Sequence, residues 1–529
     1  MIAQINTKTR ECRLFDIRKL SPRECFRLMG VSDDVIDRLQ QTVDKAYTVR
    51  VGADEHLAVL DMQPDEEATD ARLKRRYEEL ISELERRPRR KPMLDVETGE
   101  DGLVVVNDIG GDGDDDRDEG LTDEEREAER KRITDAYNAA RRAAKEKRFG
   151  PQPILAHSAQ YKLAGNSIVV DCLEHIFRNV WQFDGEAETA LRLQATRQTS
   201  LFDMPDFAPC WQPLPLPADH PLLVVTLCSG YDAQCLALDR LTEDVNRQLM
   251  LTDSHATGTP RLLMQYDLIA WAEFDPESKR PLDEQPAVVA HNLIYPQWND
   301  RNLGDMTQID WQAFIDRHDD YTVAVRLSDG TERYHSMPLR TIIDHEGIDL
   351  LTYSTPCQSI SQAGKREGIA KDSGTRSAVL WYTEEAVRRL RPKIAVQENV
   401  AALVNQQNRP HFEQWQQTLE RLGYRNYWAV LNARDYGVPQ NRERVFMVSV
   451  RDDINPTTEY PFPQPIPLTR CIADVLEPDA SPALYLKPES VTSFLQKNED
   501  GQQQYIYATV DHRPTSTQIG ALIAEQTMD

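Results

Sequence analysis

The sequence predicts a doubly wound α/β fold, and three observations carry that expectation. Six apolar runs, LLVVTLCSG, DLIAWAEFD, DLLTYSTP, PKIAVQENV, NYWAVLNA and VFMVSVR, recur between residues 222 and 451. Continuous runs, as opposed to alternating ones, suit strands buried on both faces of a parallel sheet. Amphipathic stretches of helical length separate them, which is the βαβ rhythm. At 529 residues the chain also has room for such a domain plus a smaller module or a sizeable insertion.

Four segments follow in order. Residues 1–45 read as a strand ending in IRKL and a helix started by Ser21 and Pro22, with Glu24 completing an S-x-x-E capping box. Residues 46–153 are charged and poor in aromatics, and they predict a helical insertion. ATDARLKRRYEELISELERR forms one helix stopped by Pro88, and Thr122 with Glu125 caps a second that runs to Phe149-Gly150. Between them Asp108–Gly120 is too acidic to pack a core. Its D-x-D character resembles a calcium loop, but the bidentate glutamate at the twelfth position is missing, so a solvated linker is expected. Residues 154–450 hold the six apolar runs. Residues 451–529, rich in Pro, Gln and Thr, lack a period and predict a small irregular module.

Composition narrows the class. No run approaches the roughly 18 apolar residues a membrane span needs, and MIAQINTKTRECRLFDIRKL has no signal-peptide core, so a soluble, cytoplasmic protein without membrane partners is expected. Eight scattered cysteines form no C-x-x-C pair, which predicts neither a metal site nor a disulfide framework. The net charge of −25 argues weakly against nucleic acid, because residues 51–150 alone hold 29 acidic against 19 basic residues and a basic cleft can coexist with an acidic appendage.

Ligands of doubly wound sheets bind beyond the carboxyl ends of the strands. Cys357 follows one apolar run in a Pro-Cys-Gln turn, where a thiolate would be exposed for attack on carbon; a structural cysteine in a tight turn is the alternative. Glu398 ends another run, where a carboxyl group could stabilise charge on a ring nitrogen or simply cap the next helix. Arg442 and Arg444, two residues apart, suit a phosphate and a base carbonyl, or an exposed edge strand.

Jointly, Thr355-Pro356-Cys357-Gln358, Gln397-Glu398-Asn399-Val400 and Gln440-Asn441-Arg442-Glu443-Arg444 resemble, in order, three diagnostic blocks of the DNA (cytosine-5)-methyltransferase family. LCSGYDAQCLALDRL resembles its glycine block but departs at Cys228, an aromatic in the family, and at Asp232, a glycine there. KDSGTRSAVL is similar to the block after the nucleophile loop. IRKLSPRECFRLMGV and QYKLAGNSIVVDCLEHIF resemble blocks that close the family's chains, yet they stand first here, so the order is circularly permuted.

The resemblance implies a Rossmann-like class I methyltransferase fold with S-adenosyl-L-methionine as cofactor. Its pocket would comprise Gly230, Glu273 on the ribose, Asp305 and Phe274 on the adenine, with Pro356, Asn166 and Ser167 completing it. It further implies that double-stranded DNA is the partner and that the target cytosine is flipped out. Cys357 would then attack C6, Glu398 bond the ring nitrogen, Arg444 hold the carbonyl and Arg442 orient the loop or backbone. Gln358 and Ser361 would lie on a mobile loop. Target recognition would fall in 451–529, with Lys487, Lys497, His512 and Arg513 as contacts. A partner subunit for specificity and a cognate restriction endonuclease are possible companions. A transfer RNA methyltransferase on the same scaffold and a weakly catalytic DNA-binding regulatory subunit are the rival readings.

Overall fold

The computed structural model describes residues 2–5, 12–62, 70–87, 121–181, 211, 213–217, 220–253, 263–318, 321–336, 338–356, 370, 375–454, 460–481, 484, 492–497, 504–509 and 522–526. They form two compact units, one of Met1–Gln41 with His157–Asp529 and one of Thr42–Ala156.

The first unit begins with strands β1 (Ile2–Ile5) and β2 (Cys12–Arg18), paired antiparallel. Helix Pro22–Arg27 follows with the expected capping box: Ser21 Oγ accepts from the Glu24 amide, and Glu24 accepts from the Ser21 amide. Glu24 is wholly buried and forked onto Arg18 at 2.6 and 2.8 Å. The Glu477 amide also donates to it at 2.7 Å, which ties the 460–481 segment to this helix.

The second unit is framed by β3 (Thr42–Val51) and β4 (Ala144–Pro153), a ten-pair antiparallel ladder. Helices Asp54–Val59, Asp70–Arg86 and Asp123–Arg142 pack around Leu57, Leu60, Leu73, Leu84, Ile133 and Ala140, and Tyr77 stacks on Tyr137 at 4.5 Å. Thr122 and Glu125 form the expected box. The helix it starts ends at Arg142, however, not at Gly150, and the insertion is not purely helical. AKEKRF is locally compatible with helix, but the β-branched and aromatic residues of TVDKAYTVRV offer it a ladder, and pairing overrides propensity. The acidic stretch 108–120 lies outside the described residues.

The six apolar runs become the six strands of one sheet in the first unit. These are β5 (Leu222–Leu227), β6 (Tyr266–Ala272), β9 (Leu350–Tyr353), β10 (Ile394–Val400), β11 (Tyr424–Asn432) and β12 (Glu443–Arg451), in the order β11-β12-β10-β9-β5-β6. Strands β7 (Thr322–Arg326) and β8 (Glu332–Ser336) form a separate hairpin. β6, β5, β9 and β10 run parallel, while β12 runs antiparallel to both its neighbours. Only residues 433–442 join β11 to β12, and a parallel return needs a crossover of a dozen or more residues, so the chain turns straight back. One face is covered by Trp311, Phe314, Leu339, Trp381, Phe412 and Trp415. Elsewhere in the unit, helix Val170–Arg178 packs along helix Ala233–Asp253.

The region after residue 451 is more regular than expected. β13 (Thr492–Lys497) and β14 (Gln504–Thr509) form a hairpin, and β15 (Leu522–Gln526) pairs antiparallel with β2, Leu522 opposite Arg18. Strands of five or six residues are too short to show a clear period, and β15 pairs with a partner about 500 residues earlier. Among the described residues no helix is long and apolar enough to cross a membrane.

Candidate active site

From β5 the chain passes to β6 on one side and later returns to β9 on the other, so the strand order reverses between β5 and β9. A crevice opens at such a switch point beyond the carboxyl ends of the strands.

On the β5–β6 side, the turn after Leu227 carries positive φ at Cys228, Gly230 and Asp232. Gly230 has φ +61°, and a Cβ placed there would meet nothing within 4 Å, so space opens above the loop. Its amide donates to Glu273 Oε2 at 2.8 Å, joining the turn to the end of β6. Burial pushes the Glu273 carboxyl up, and the Gly230 amide opposes that by stabilising the anion. Phe274 is exposed beside it. Asn302 Oδ1 accepts from the Glu273 amide at 3.2 Å and the Gly304 amide at 2.9 Å, which brings Asp305 to the same edge. Asp305 caps the next turn through the Thr307 amide and hydroxyl. The Cys228 thiol is pushed well up by burial and then by the Glu273 and Asp305 charges, so it stays protonated.

The β9–β10 side holds the acid. Glu398 is buried; it accepts from Ser354 Oγ at 2.7 Å and pairs with Arg444 Nε at 3.2 Å. Because β12 is antiparallel to β10, Arg444, the second residue of its strand, stands opposite Val400, at the end where β10 finishes. Pro356 closes the described part of the turn after β9. Asn399 Nδ2 donates to Thr355 O at 3.1 Å and Ser377 Oγ to Pro356 O at 2.7 Å, so the base of the following loop is gripped from two sides. Cys357, Gln358 and Ser361 lie outside the described residues.

Arg442 does not join Glu398 and Arg444. It precedes β12, and its Nη2 donates to Gly165 O at 3.0 Å and Ser167 O at 2.7 Å. These carbonyls mark the end of helix His157–Asn166, so Arg442 fastens the 157–178 segment to the sheet. Ser167 and Arg442 both lie beside the buried Tyr231 hydroxyl of the glycine turn, while Asn166 is exposed.

Three residues of this edge escaped sequence reasoning. Ser377 lies in the block KDSGTRSAVL and Asn302 just ahead of Asp305, but neither was singled out for a role. Asp232, expected only as a lost glycine, is fully buried at φ +68°. Its Oδ2 accepts from Thr226 Oγ1 at 2.8 Å and sits 3.5 Å from His291 Nε2, and the His291 ring stacks on Trp271 at 3.6 Å.

The sheet order, the glycine turn after β5, the acidic residue after β6 and the carboxylate after β10 define a Rossmann-like α/β domain. Residues 306–522 match the model of the C-5 cytosine-specific DNA methylase family. Through this region the chain is similar to the DNA (cytosine-5)-methyltransferase family. It is 39% identical over 207 residues to the type II methyltransferase M2.ScrFI of Lactococcus lactis subsp. cremoris, covering 38% of this chain and 54% of that one. It is 47% identical over 112 residues to the orphan methyltransferase M.SssI of Spiroplasma monobiae, covering 20% and 29%. The type II methyltransferase M.HhaI of Haemophilus parahaemolyticus is 36% identical over 141 residues, covering 27% and 41%. The chain thus spans about half or less of the length of these relatives.

Proposed function

We propose that the protein transfers a methyl group to C5 of cytosine in DNA. The observation that carries this reading is the buried Glu398, held by Ser354 and Arg444 at the end of β10, next to the strand that leads into Thr355-Pro356-Cys357. A carboxyl group in that place can hydrogen-bond the ring nitrogen and amino group of a pyrimidine, with Arg444 near enough to share the base carbonyl.

The β5–β6 edge fits S-adenosyl-L-methionine. Open space above Gly230, a carboxylate at Glu273 for ribose hydroxyls and an exposed ring at Phe274 match the three parts of such a molecule. Asp305 would meet the adenine, and Pro356, Asn166 and Ser167 would finish the pocket. The cofactor, when bound, supplies an electrophilic methyl group.

The protein's own residues do the rest. The base is flipped out because its ring carbons are unreachable within the stack. The Cys357 thiolate adds to C6, the electron pair of the 5,6 double bond becomes available at C5, and Glu398 stabilises the charge on N3. After methylation, loss of the C5 proton to a base regenerates the double bond and expels the thiolate. Gln358 and Ser361 belong to the loop expected to close over the site. Arg442 acts from behind, by fixing 157–178.

Recognition is assigned to residues 451–529 together with β2, a reading supported by the pairing of β15 with β2. A partner subunit for specificity, a cognate restriction endonuclease and a cytoplasmic location belong to the same proposal. The test is a duplex carrying 5-fluorocytosine, which should trap a covalent adduct because fluorine at C5 cannot leave as a proton. Cys357→Ser should abolish the adduct and methyl transfer while leaving cofactor affinity near wild type. Retention of more than about a few per cent of turnover by that variant overturns the nucleophile assignment. Methyl transfer to transfer RNA with none to duplex DNA overturns the choice of substrate.

A further inference from the structure

The β3–β4 ladder spends ten residue pairs on a two-stranded ribbon. Residues 144–149 of β4 and 42–46 of β3 are all exposed, so along this stretch both faces of the ribbon meet solvent. An isolated two-stranded ribbon is at best marginal in water, so apolar burial does not explain this one. Its charge is also out of keeping with the chain. The two strands hold five Lys or Arg against two acidic residues, in a protein of net charge −25, and Arg141 and Arg142 lie just ahead of β4. Lys45 and Lys147 are in no ion pair among the described residues, and Arg148 has only its neighbour Glu146 at 3.4 Å. Phe149 is left 74% exposed on the same strand.

We propose that this ribbon is a second DNA-contacting element, which binds the duplex sequence-independently through Lys45, Lys147 and Arg148. A two-stranded ribbon fits the B-DNA major groove. In the ladder Lys45, Arg148 and Lys147 stand at or opposite positions 45, 47 and 48 of β3, a span of about 10 Å, so they can reach neighbouring phosphates along the groove. Antiparallel register puts Lys45 and Arg148 on one face and Lys147 with Phe149 on the other, which suits a ribbon flanked by phosphates on both sides. The proposal extends the methyltransferase reading in taking duplex DNA as the partner.

The test uses the full chain and a duplex of about 30 dA·dT pairs, which contains no cytosine and reports phosphate contacts alone. Fluorescence anisotropy is measured as salt rises, for wild type and for Lys45→Gln/Lys147→Gln/Arg148→Gln. The substituted side chains are exposed, so thermal unfolding and cofactor binding should stay at wild type. The slope of log affinity against log salt should fall by about 2–3, at roughly 0.9 per lost phosphate contact, with at least a tenfold loss of affinity at low salt. An unchanged slope, or a wild-type protein that does not bind the dA·dT duplex, overturns the proposal. Failure to methylate cytosine with dA·dT binding and its loss in the variant both intact overturns the methyltransferase reading and leaves the ribbon standing.

Discussion

Asp232→Gly restores the residue that the family carries at this place, and sequence alone would favour it as an improvement. The structure argues the reverse. Glycine would relieve the left-handed backbone at φ +68°, a gain of about 1 kcal/mol, but it adds unfolded-state freedom that returns roughly 0.5–1 kcal/mol. Against this stands the hydrogen bond from Thr226 Oγ1 at 2.8 Å to a fully buried carboxylate, a class of bond contributing about 1.5–3 kcal/mol. The substitution also strips the His291 edge, 3.5 Å away, of the group it faces, in a ring with no exposure. We therefore expect Asp232→Gly to be less stable by about 1–3 kcal/mol. Urea unfolding followed by tryptophan fluorescence measures it, with Trp271 stacked on His291 as a reporter at the site. Asp232→Asn, which tolerates the left-handed backbone, should lie between the two. A glycine variant as stable as wild type would refute the reasoning and return Asp232 to the status of a neutral departure.

Glu24→Gln removes one arm of a buried pair and should cost about 3–5 kcal/mol. Burial pushes the Glu24 carboxyl up, yet the Arg18 fork and the Glu477 and Ser21 amides outweigh it and leave the group below the ordinary carboxylate range. Its contribution is therefore full above that range and lost as pH falls through the folded value, so acid denaturation curves should be flatter for the variant; parallel curves would count against the assignment. Arg444→Ala should lower turnover by about 100-fold or more with cofactor affinity retained, because it leaves Glu398 buried beside Ser354 alone; calorimetry and single-turnover assays separate the two. Replacing residues 43–152 by a short Gly-Ser linker should give a folded, cofactor-binding protein, since Thr42 and Pro153 are ladder partners about 5 Å apart; an insoluble product would show that the first unit needs the second.

The sheet was legible because its strands are buried on both faces and announce themselves as continuous apolar runs. Direction was not. β12 is as apolar as the parallel strands of the sheet, and only the shortness of the 433–442 connection betrays its reversal. The β3–β4 ribbon was missed because AKEKRF in β4 is charged and compatible with helix, so the alternation of Val43, Tyr47, Val49 and Val51 in β3 had no visible partner. Glu398 and Arg444 were legible as members of blocks, and strand geometry brings them together. Arg442 shares their block but lies ahead of the strand, so its two-residue spacing from Arg444 says nothing about its direction. Asp232 was read as the absence of a glycine; its use depends on Thr226 and His291, which no spacing connects to it.

The grip of Arg442 on the carbonyls of Gly165 and Ser167 has a further consequence, shared with Gln440 on Leu28 O and Arg240 on Asp171. Residues 12–41 and 157–181 are fastened to the sheet by side chains reaching from later in the sequence. A chain cut within 182–210 and expressed as two pieces should reassemble by fragment complementation. Fusing the pieces to domains that associate on demand would then make assembly of the sheet conditional.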